Sequence, residues 1–513
     1  MLSLPASARA GSALTDAAFA AVLGALFSLP CVWTAAWPLQ FFCIAALAWR
    51  SLALAPARAA LLGAAFGTAW LVAGTWWLYI SLHRYGGLAA PLAVAAVAAL
   101  ALALSAYLAA ALALFAHLRS GRATIDALLF AACWMVAELA RGVIFTGFPW
   151  VASGYGQIDG PLAALAPWIG VYGIGFVLAA LAAWPVMAER RGALRGALAI
   201  AAVASAPLAA HDFSTAAARL DATLVQTNVS QDEKFAPERT PDALAWLLTA
   251  MQGARGTLVL APETAIPLLP EQLGQEAWAQ FTAPFRGERA ALVGLPLGSF
   301  EAGYTNSVVG VSRDTLALPG GFYRYDKQHL VPFGEFIPPG FRWFVEMMNI
   351  PLGDFARGPR VPPSFAFAGQ RIAPNICYED LFGEELALRF ADAASAPTIL
   401  ANVSNIGWFG DTIAIVQHLQ ISRMRTLELQ RPMLRATNTG ATAAIDHRGV
   451  VRASLAPFTR GTLDVVVEGR NGLTPFARWA ARFGLWPMLA LALLVMAAAA
   501  ALRRNVASHI REP

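Results

Sequence analysis

The chain has 513 residues, of which 58% are hydrophobic and only 13% charged, and its mean hydropathy is +0.54. Soluble domains carry about 25% charged residues, so this composition excludes an ordinary soluble enzyme, a disordered chain and a nucleic-acid-binding protein. The net charge of +5 does not restore nucleic-acid binding, because the basic residues form no run or stripe. The composition predicts an integral membrane protein that carries one large polar domain.

Apolar segments of membrane-spanning length occupy the first part of the chain, since a helix needs about 20 apolar residues to cross a bilayer. Pro30 and Pro38 divide the segment 17–49 into two spans. Further spans are predicted at 59–82, 88–116, 124–140, 161–188 and 196–210, and a last one at 483–502. The sequence therefore predicts about eight transmembrane helices, in the domains 1–211 and 483–513, with a domain 212–482 inserted between them.

Arginines in the short loops indicate the orientation, because cytoplasmic loops of membrane proteins are enriched in Lys and Arg. The opposite short loops offer only Arg84 and Arg141. Both termini are therefore expected in the cytoplasm, and residues 212–482 outside it. The arginines that fall on the cytoplasmic side are Arg9, Arg50, Arg58, Arg119, Arg122, Arg190, Arg191, Arg195, Arg503, Arg504 and Arg511.

Residues 212–482 alternate short β-type runs with helical segments, which predicts an α/β layered domain. Predicted strands lie at 224–226, 257–260, 291–294, 307–310, 371–376, 398–401 and 462–467. Predicted helices lie at 241–253, 381–394 and 412–430.

Cys377 is the only one of the four cysteines in this polar domain. A lone thiol in an oxidising compartment makes no intramolecular disulfide there, so it is either a reactive group or a buried inert thiol. The seven histidines are scattered, without an H-E-x-x-H or C-x-x-C motif, so no metal is expected. No P-loop or other cofactor motif is present, and no cofactor is expected.

Three chemically useful residues lie in the polar domain. Glu263 follows an apolar strand, Lys327 follows the run 323–326, and Cys377 lies where a strand gives way to a predicted helix. A helix N-terminus lowers the pKa of a thiol and offers N–H groups to an oxyanion. A carboxylate, an amine and a thiol together supply the base, the charge stabiliser and the nucleophile of acyl transfer.

Lysine is rare in this chain, because only Lys234 and Lys327 are lysines among 37 basic residues. Where arginine is so strongly preferred, a lysine marks a place at which a compact ammonium does what a planar guanidinium cannot. Chance survival of two lysines is the alternative interpretation.

The order Glu263, Lys327, Cys377 on an α/β domain resembles the nitrilase, or carbon–nitrogen hydrolase, superfamily. A nitrilase-like domain placed before a last transmembrane helix resembles the bacterial apolipoprotein N-acyltransferases. Where that family usually has Lys-Trp after Asn228, this chain has Lys234-Phe235. The motifs that carry the resemblance are Trp134-x-x-x-Glu138-x-x-Arg141-Gly142, Thr146-Gly147-Phe148-Pro149-Trp150, Gly154-Tyr155-x-Gln157, Val225-Gln226-x-Asn228, Pro262-Glu263-Thr264, Tyr325-x-Lys327, Leu330-Val331-Pro332-Phe333-Gly334-Glu335, Cys377-Tyr378-Glu379 and Ser404-Asn405-x-Gly407-Trp408-Phe409.

The resemblance implies an αββα sandwich and the transfer of a fatty acyl chain. The donor is a membrane phospholipid, and the acceptor is the free α-amine of the S-diacylglyceryl-cysteine of a lipoprotein. It implies that Cys377 is the nucleophile that carries the acyl chain as a thioester, Glu263 the general base and Lys327 the stabiliser of the tetrahedral intermediate. Glu335, Tyr378 and Glu379 are implied as supporting residues. A monomer in the bacterial inner membrane is expected, with its catalytic domain on the periplasmic side.

Two alternatives remain open at the level of sequence. A membrane-tethered amidase or nitrilase would hydrolyse small amides with the same three residues. A transporter or scaffold would use the external domain only to bind a ligand, although spans almost bare of charge speak against transport. The aromatic segment 341–348 is either an interfacial arm that grips lipid or a partly buried helix of the sandwich.

Overall fold

The structure is a computed structural model, and it describes residues 12–188, 211–299, 301, 303–347 and 355–509. The chain folds as two compact units. The first comprises Met1–Trp76, Ala90–His211 and Phe483–Pro513, and the second comprises Trp77–Ala89 and Asp212–Arg482.

Helices make up the first unit, and the second combines strands with helices. Helices of eight or more residues are α1 (Ala13–Ser28), α2 (Pro38–Ser51), α3 (Pro56–Thr75), α4 (Ala90–Leu118), α5 (Ala123–Val143), α6 (Ala166–Met187), α7 (Thr240–Gln252), α8 (Gln275–Thr282), α9 (Ala414–Leu429), α10 (Pro475–Phe483) and α11 (Trp486–His509). Short helices lie at Leu78–Ile80, Pro270–Leu273, Arg342–Glu346 and Gly383–Ala387. The strands are β1 (Ser214–Gln226), β2 (Leu258–Leu260), β3 (Ala290–Ser299), β4 (Gly303–Val311), β5 (Tyr323–Asp326), β6 (Phe365–Phe367), β7 (Gln370–Ile376), β8 (Ile399–Ser404), β9 (Met433–Thr437), β10 (Ala443–Ile445), β11 (Val451–Ser454) and β12 (Gly461–Gly472).

The first unit consists of apolar helices. Within the described ranges, six segments are long and apolar enough to cross a membrane, namely Ala13–Cys31, Pro56–Thr75, Ala90–Leu118, Ala123–Thr146, Pro161–Met187 and Trp486–Arg504. The predicted division of 17–49 into two helices is confirmed, because α1 ends at Ser28 and α2 begins at Pro38, but α2 has only 14 residues and is not one of these six segments. Proline suits the first position of a helix, where its missing N–H leaves no bond unmade. The predicted span 196–210 lies outside the described residues.

Charged side chains inside the first unit are paired. The Asp16 carboxylate accepts a hydrogen bond from Arg50 at 2.7 Å and another from Arg58 at 3.1 Å. Glu138 accepts hydrogen bonds from the backbone N–H and the hydroxyl of Ser153, at 2.7 and 2.8 Å. Each buried carboxylate therefore has donors that offset the cost of removing its charge from water.

The two six-stranded sheets of the second unit repeat one strand order. The first runs β12-β1-β2-β3-β4-β5, and the second runs β6-β7-β8-β9-β10-β11. In each sheet three consecutive strands are parallel, β1 to β3 and β7 to β9, and antiparallel strands flank them. Because the carboxyl ends of parallel strands meet at one edge of a sheet, the loops that follow β2, β7 and β8 are the natural carriers of a site.

Apolar side chains between the two sheets form the central core, with Leu260 contributed by the first sheet and Ile376 by the second. The outer face of the first sheet packs on α7 and α8. The outer face of the second sheet packs on α9 and α10. The second unit is therefore the αββα sandwich that the resemblance implied.

The predicted helix 381–394 is shorter in the structure. Cys377–Leu381 forms a tight 3₁₀ turn, and the α-helix covers only Gly383–Ala387. Phe382 between them has φ −108° and ψ 78°, outside the helical region. Its ring stacks on the ring of His329 at 3.6 Å. This tertiary contact interrupts the segment, and a helical pattern in the sequence cannot reveal it.

The segment Trp77–Ala89 lies between α3 and α4 in the chain but packs within the second unit. Trp77 Nε1 donates a hydrogen bond to Gln417 Oε1 at 3.0 Å, and the Trp77 ring lies 4.3 Å from the ring of Phe409. The predicted span 59–82 is therefore too long at its end, since α3 stops at Thr75 and the residues after Trp76 belong to the sandwich.

Candidate active site

The structure brings Glu263, Lys327 and Cys377 together inside the sandwich. Glu263 lies on the turn after β2, Lys327 follows β5, and Cys377 follows β7. Lys327 Nζ is 3.5 Å from Glu263 Oε1. Cys377 is close enough to both charged groups for each of them to shift the pKa of its thiol.

Two donors, one within β4 and one just after β8, hold the Glu263 carboxylate. Asn306 Nδ2 donates to Oε1 at 2.7 Å, and the backbone N–H of Asn405 donates to Oε2 at 2.7 Å. The turn that carries Glu263 lies against β3 at Gly294, where an added Cβ would be 2.4 Å from the carbonyl oxygen of Pro262. Only glycine fits there, so the close approach of this turn is built into the sequence.

Lys327 is buried between two carboxylates. Its Nζ donates to Glu335 Oε1 at 2.9 Å, and its side chain is 1% exposed. Burial lowers the pKa of Lys327, but Glu335 and Glu263 more than offset this effect, and the net pKa is raised above its usual value. Lys327 therefore remains an ammonium throughout the physiological range.

Glu335 is held at both of its oxygens. Asn306 Nδ2 donates to Oε1 at 2.7 Å, so one amide bridges Glu263 and Glu335. The backbone N–H of Val331 donates to Oε2 at 2.8 Å. The segment from Val331 to Glu335 is a tight turn. Glu335 therefore stabilises the turn on which it lies through one carboxylate oxygen and binds Lys327 through the other.

Cys377 adopts a backbone conformation that is unusual for its residue type, with φ at +51°. This left-handed region costs a residue with a Cβ about 1–3 kcal/mol, and such outliers concentrate at functional sites. The backbone carbonyl of Cys377 accepts a hydrogen bond from His418 Nε2 at 3.2 Å. Arg435 Nη2 donates to His418 Nδ1 at 2.7 Å. Since a guanidinium can only donate, this bond assigns the His418 proton to Nε2.

The electrostatic surroundings keep His418 neutral and the Cys377 thiol protonated. Burial, followed by the charge of Arg435, lowers the pKa of His418 well below its usual value. Burial raises the pKa of Cys377 to about 12, Glu263 adds to this increase, and Lys327 opposes it. The expectation that a helix N-terminus lowers this pKa is wrong, because the helical segment is one short turn and desolvation dominates.

Glu379 connects the backbones that carry the lysine and the thiol. Its Oε2 accepts hydrogen bonds from Tyr325 Oη at 2.6 Å and from the N–H of Ile376 at 2.7 Å. Its Oε1 accepts from the N–H groups of Gln328 at 2.8 Å and His329 at 3.2 Å. One carboxylate thus ties the residue before Cys377 to the residues after Lys327.

Tyr378, the third predicted supporting residue, is buried beside the site. Its ring lies 5.6 Å from the ring of His329 and 5.3 Å from that of Phe382. These contacts place Tyr378 in the aromatic packing next to Cys377.

Four further residues contact the site without having been assigned to it from the sequence. Asn405 and Lys234 occur in or beside motifs that carried the resemblance, and the rarity of lysine was a usable signal for Lys234. Asn306 lies within β4 and His418 within α9, and no local pattern distinguishes them. The four residues are Lys234, Asn306, Asn405 and His418.

Comparison with known proteins assigns the family. Residues 23–184 match the apolipoprotein N-acyltransferase N-terminal domain, and residues 221–470 match the carbon-nitrogen hydrolase family. The chain is 52% identical to an apolipoprotein N-acyltransferase of Verminephrobacter eiseniae, over 88% of this chain and 89% of the relative. The chain belongs to the apolipoprotein N-acyltransferase family. Relatives of the same name from Ralstonia nicotianae and Bordetella bronchiseptica are 46% and 43% identical, over 95% and 91% of this chain and 94% and 92% of theirs.

Family membership confirms the resemblance and the fold class predicted from the motifs. In this member of the apolipoprotein N-acyltransferase family, the carbon–nitrogen hydrolase match covers Glu263, Lys327 and Cys377. A buried carboxylate, a buried ammonium and a partly buried thiol at one place form a set suited to acyl transfer through a covalent intermediate.

The hydrogen bonds of Glu379 predict that removing the hydroxyl of Tyr325 destabilises the protein more than removing that of Tyr323, another tyrosine of β5. Tyr325→Phe removes a hydrogen bond to a buried carboxylate, which is worth about 1.5–3 kcal/mol, whereas a neutral hydrogen bond is worth about 1 kcal/mol. Tyr323→Phe is the matched control, because Tyr323 is about as buried and makes no contact with a carboxylate: its hydroxyl donates to the carbonyl of Pro363 at 2.7 Å and lies beside Arg389, which keeps its own bonds to backbone carbonyls when the hydroxyl is lost. Thermal unfolding of the purified protein should show the larger decrease in melting temperature for Tyr325→Phe. Equal decreases would contradict the role given to Glu379.

Proposed function

We propose that the chain transfers a fatty acyl chain from a membrane phospholipid to the α-amine of the S-diacylglyceryl-cysteine of lipoproteins. The observation that carries the proposal is the convergence of the buried Glu263 and Lys327 with the partly buried Cys377, in a chain whose relatives are named for this activity. Glu263 is the general base, Lys327 the stabiliser of the tetrahedral intermediates and Cys377 the nucleophile.

The first half-reaction forms a thioester. Glu263 takes the thiol proton as Cys377 Sγ attacks the ester carbonyl of the phospholipid, because the thiol is protonated at rest. The resulting oxyanion is stabilised by the ammonium of Lys327. The carbon–oxygen bond of the ester then breaks, the leaving alkoxide takes the proton from Glu263, and a lysophospholipid departs.

The second half-reaction forms the amide. The neutral α-amine of the lipoprotein attacks the thioester carbonyl, and Glu263 accepts the proton that the nitrogen loses. Lys327 again faces the oxyanion. The carbon–sulfur bond breaks, and the thiolate of Cys377 recovers its proton from Glu263, which restores the resting site.

Glu335 and Glu379 act as positioning residues in this scheme, and Tyr378 supports the pocket wall. Glu335 holds the Lys327 ammonium at 2.9 Å, so that its charge and direction are set before substrate arrives. Glu379 sets the separation of the two backbone segments that carry Lys327 and Cys377.

The amidase alternative differs only in the group that resolves the thioester, since water would replace the amine. It is not favoured, because relatives that are 43% to 52% identical over most of the chain carry the acyltransferase name. A lipid donor also suits a sandwich that is joined in one chain to six apolar helices of membrane-spanning length within the described residues.

We further propose that 1–211 and 483–513 form the domains in the bacterial inner membrane, with cytoplasmic termini, and that 212–482 lies on the periplasmic side as the catalytic domain of a monomer. The excess of arginine in one set of short loops supports this orientation. The donor is a membrane lipid and the acceptor carries a diacylglyceryl group, so a tethered domain meets both substrates at the bilayer surface.

The orientation predicts the activity of inserted reporters. A reporter enzyme that is active only outside the cytoplasm should be active at Gly287 and silent at Gly121. These glycines are a matched pair, because both are exposed and an added Cβ at either meets nothing within 4 Å. Immunoblots would verify equal expression, and the reverse pattern of activity would refute the orientation.

The thioester predicts a covalent adduct on one residue. After incubation of the full-length protein with phosphatidylethanolamine vesicles, mass spectrometry should find a hydroxylamine-sensitive acyl group on Cys377. Cys377→Ala should abolish the adduct, and Cys377→Ser should be almost as inactive, because a hydroxyl is harder to deprotonate than a thiol. Glu263→Gln should slow both formation of the adduct and its transfer to a lipopeptide amine. A wild-type protein that remains unmodified would refute the proposed reaction.

The shape of the cation at Lys327 predicts a large effect from a conservative change. Lys327→Arg should slow acyl transfer by about 100- to 1000-fold, because a guanidinium cannot replace a compact ammonium aimed at an oxyanion. Arg324→Lys in β5 is the matched control. Arg324 is exposed, and within the part of the chain that the structure describes its guanidinium forms an ion pair with Asp326, outside the Glu263–Lys327–Cys377 group. Near-normal transfer by Lys327→Arg, measured with a fluorescent lipopeptide acceptor, would contradict the role of Lys327.

A further inference from the structure

Both lysines of the chain lie in the candidate active site. Every other basic residue among the 37 is an arginine. Lys234 is 5% exposed and Lys327 is 1% exposed, so both ammonium groups are buried. Burial of an amine requires compensation, and the same reasoning that singles out Lys327 applies to Lys234.

The ammonium of Lys234 contacts the segment that carries the proposed base. Lys234 Nζ donates to the backbone carbonyl of Glu263 at 3.1 Å. The turn that carries Lys234 shares a support with the Glu263 carboxylate. Asn405 Nδ2 donates to Gln231 Oε1 at 3.0 Å, while the Asn405 backbone N–H donates to Glu263 Oε2 at 2.7 Å. Lys234 and Glu263 are therefore held by one connected set of hydrogen bonds.

The titratable neighbours of Lys234 are the reacting groups themselves. Burial lowers the pKa of Lys234 to about 8, and Glu263 and Cys377 act in the opposite direction. Asp232 and Glu233, on the turn that carries Lys234, are exposed. Lys234 is thus charged below a pH of about 8 and neutral above it.

We infer that Lys234 is a positioning residue of the reaction centre, whose ammonium holds the backbone of Glu263 and favours the thiolate of Cys377. Its contribution to acyl transfer rests on the proposed function, whereas its effect on the thiol requires no substrate. When the Cys377 proton moves to Glu263, negative charge shifts from the carboxylate to sulfur. A second cation beside the pair keeps that shift favourable inside a buried site.

A lysine is suited to this position because the contact is a single bond to a carbonyl oxygen. A guanidinium is a planar fork that needs acceptors for several N–H groups and is larger than an ammonium. Lys234→Arg therefore keeps the charge and disturbs the position, whereas Lys234→Met keeps a similar shape and removes the charge. The two variants separate the electrostatic contribution from the geometric one.

The experiment is alkylation of Cys377 by iodoacetamide in the purified full-length protein, followed by peptide mass spectrometry from about pH 6 to about pH 10. Only the thiolate reacts, and the reaction needs no lipid. The wild type, Lys234→Met, Lys234→Arg and the control Glu233→Gln are compared. Glu233 is exposed and adjacent to Lys234, so its variant should behave as the wild type.

The expected result is that the alkylation rate of each Lys234 variant, divided by that of the wild type, changes with pH. The reason is that Lys234 in the wild type loses its charge near pH 8. At neutral pH, Lys234→Met should react about tenfold more slowly than the wild type, the effect of a thiol pKa raised by about one unit. Above about pH 9 the two rates should converge, since both proteins then lack the charge. Lys234→Arg keeps its charge, so its rate relative to the wild type should increase across the same interval.

The inference would be overturned if neither variant showed a pH-dependent ratio of its alkylation rate to that of the wild type. A purely structural defect would slow alkylation of Cys377 by the same factor at every pH. Alkylation of Lys234→Met at the wild-type rate at neutral pH would overturn it as well. If Lys234→Met does not fold, the comparison of Lys234→Arg with the wild type still decides the question. Absence of an acyl adduct on wild-type Cys377 would refute the proposed function and leave the alkylation result standing.

Discussion

A buried ammonium between two buried carboxylates is the interaction on which the rest of the site depends. The cost of removing such ions from water is several kcal/mol each, and excellent hydrogen bonding is needed to offset it. Here the compensating donors come from separate parts of the sandwich: Asn306 in β4, the N–H of Asn405 after β8 and the N–H of Val331 in a turn. The charges are compensated only when both sheets are assembled, so folding and formation of the site are one event.

Around this charged group, the structure holds Cys377 in a left-handed backbone conformation, its thiol protonated and His418 neutral. The left-handed backbone of Cys377 persists because Glu379 holds the residue before it and His418 holds its carbonyl. His418 can do so as a neutral donor because Arg435 occupies its other nitrogen. Because its pKa is raised, the Cys377 thiol carries little thiolate at rest and resists oxidation. It becomes a nucleophile when a base removes its proton.

The fold class and the three residues that the structure brings together could be predicted from the sequence, because Glu263 and Cys377 follow recognisable strands and Lys327 is one of only two lysines. Contacts that depend on tertiary packing could not be predicted in this way. The amide of Asn306 bridges two carboxylates from within β4, one residue before the strand 307–310 that the sequence predicts. The direction of the Cys377 pKa depends on desolvation by residues distant in the chain, which outweighs the effect of a one-turn helix.

The segment Trp77–Ala89 has a consequence for the modularity of the sandwich. Although 212–482 is continuous and matches a widespread hydrolase family over most of its length, part of its packing is supplied by residues between α3 and α4. An excised fragment that starts at residue 212 would lose the donor that Trp77 gives to Gln417 and would expose the ring of Phe409 to water. The complete sandwich therefore consists of 212–482 together with Trp77–Ala89. A transfer of this domain to another protein would have to include both segments.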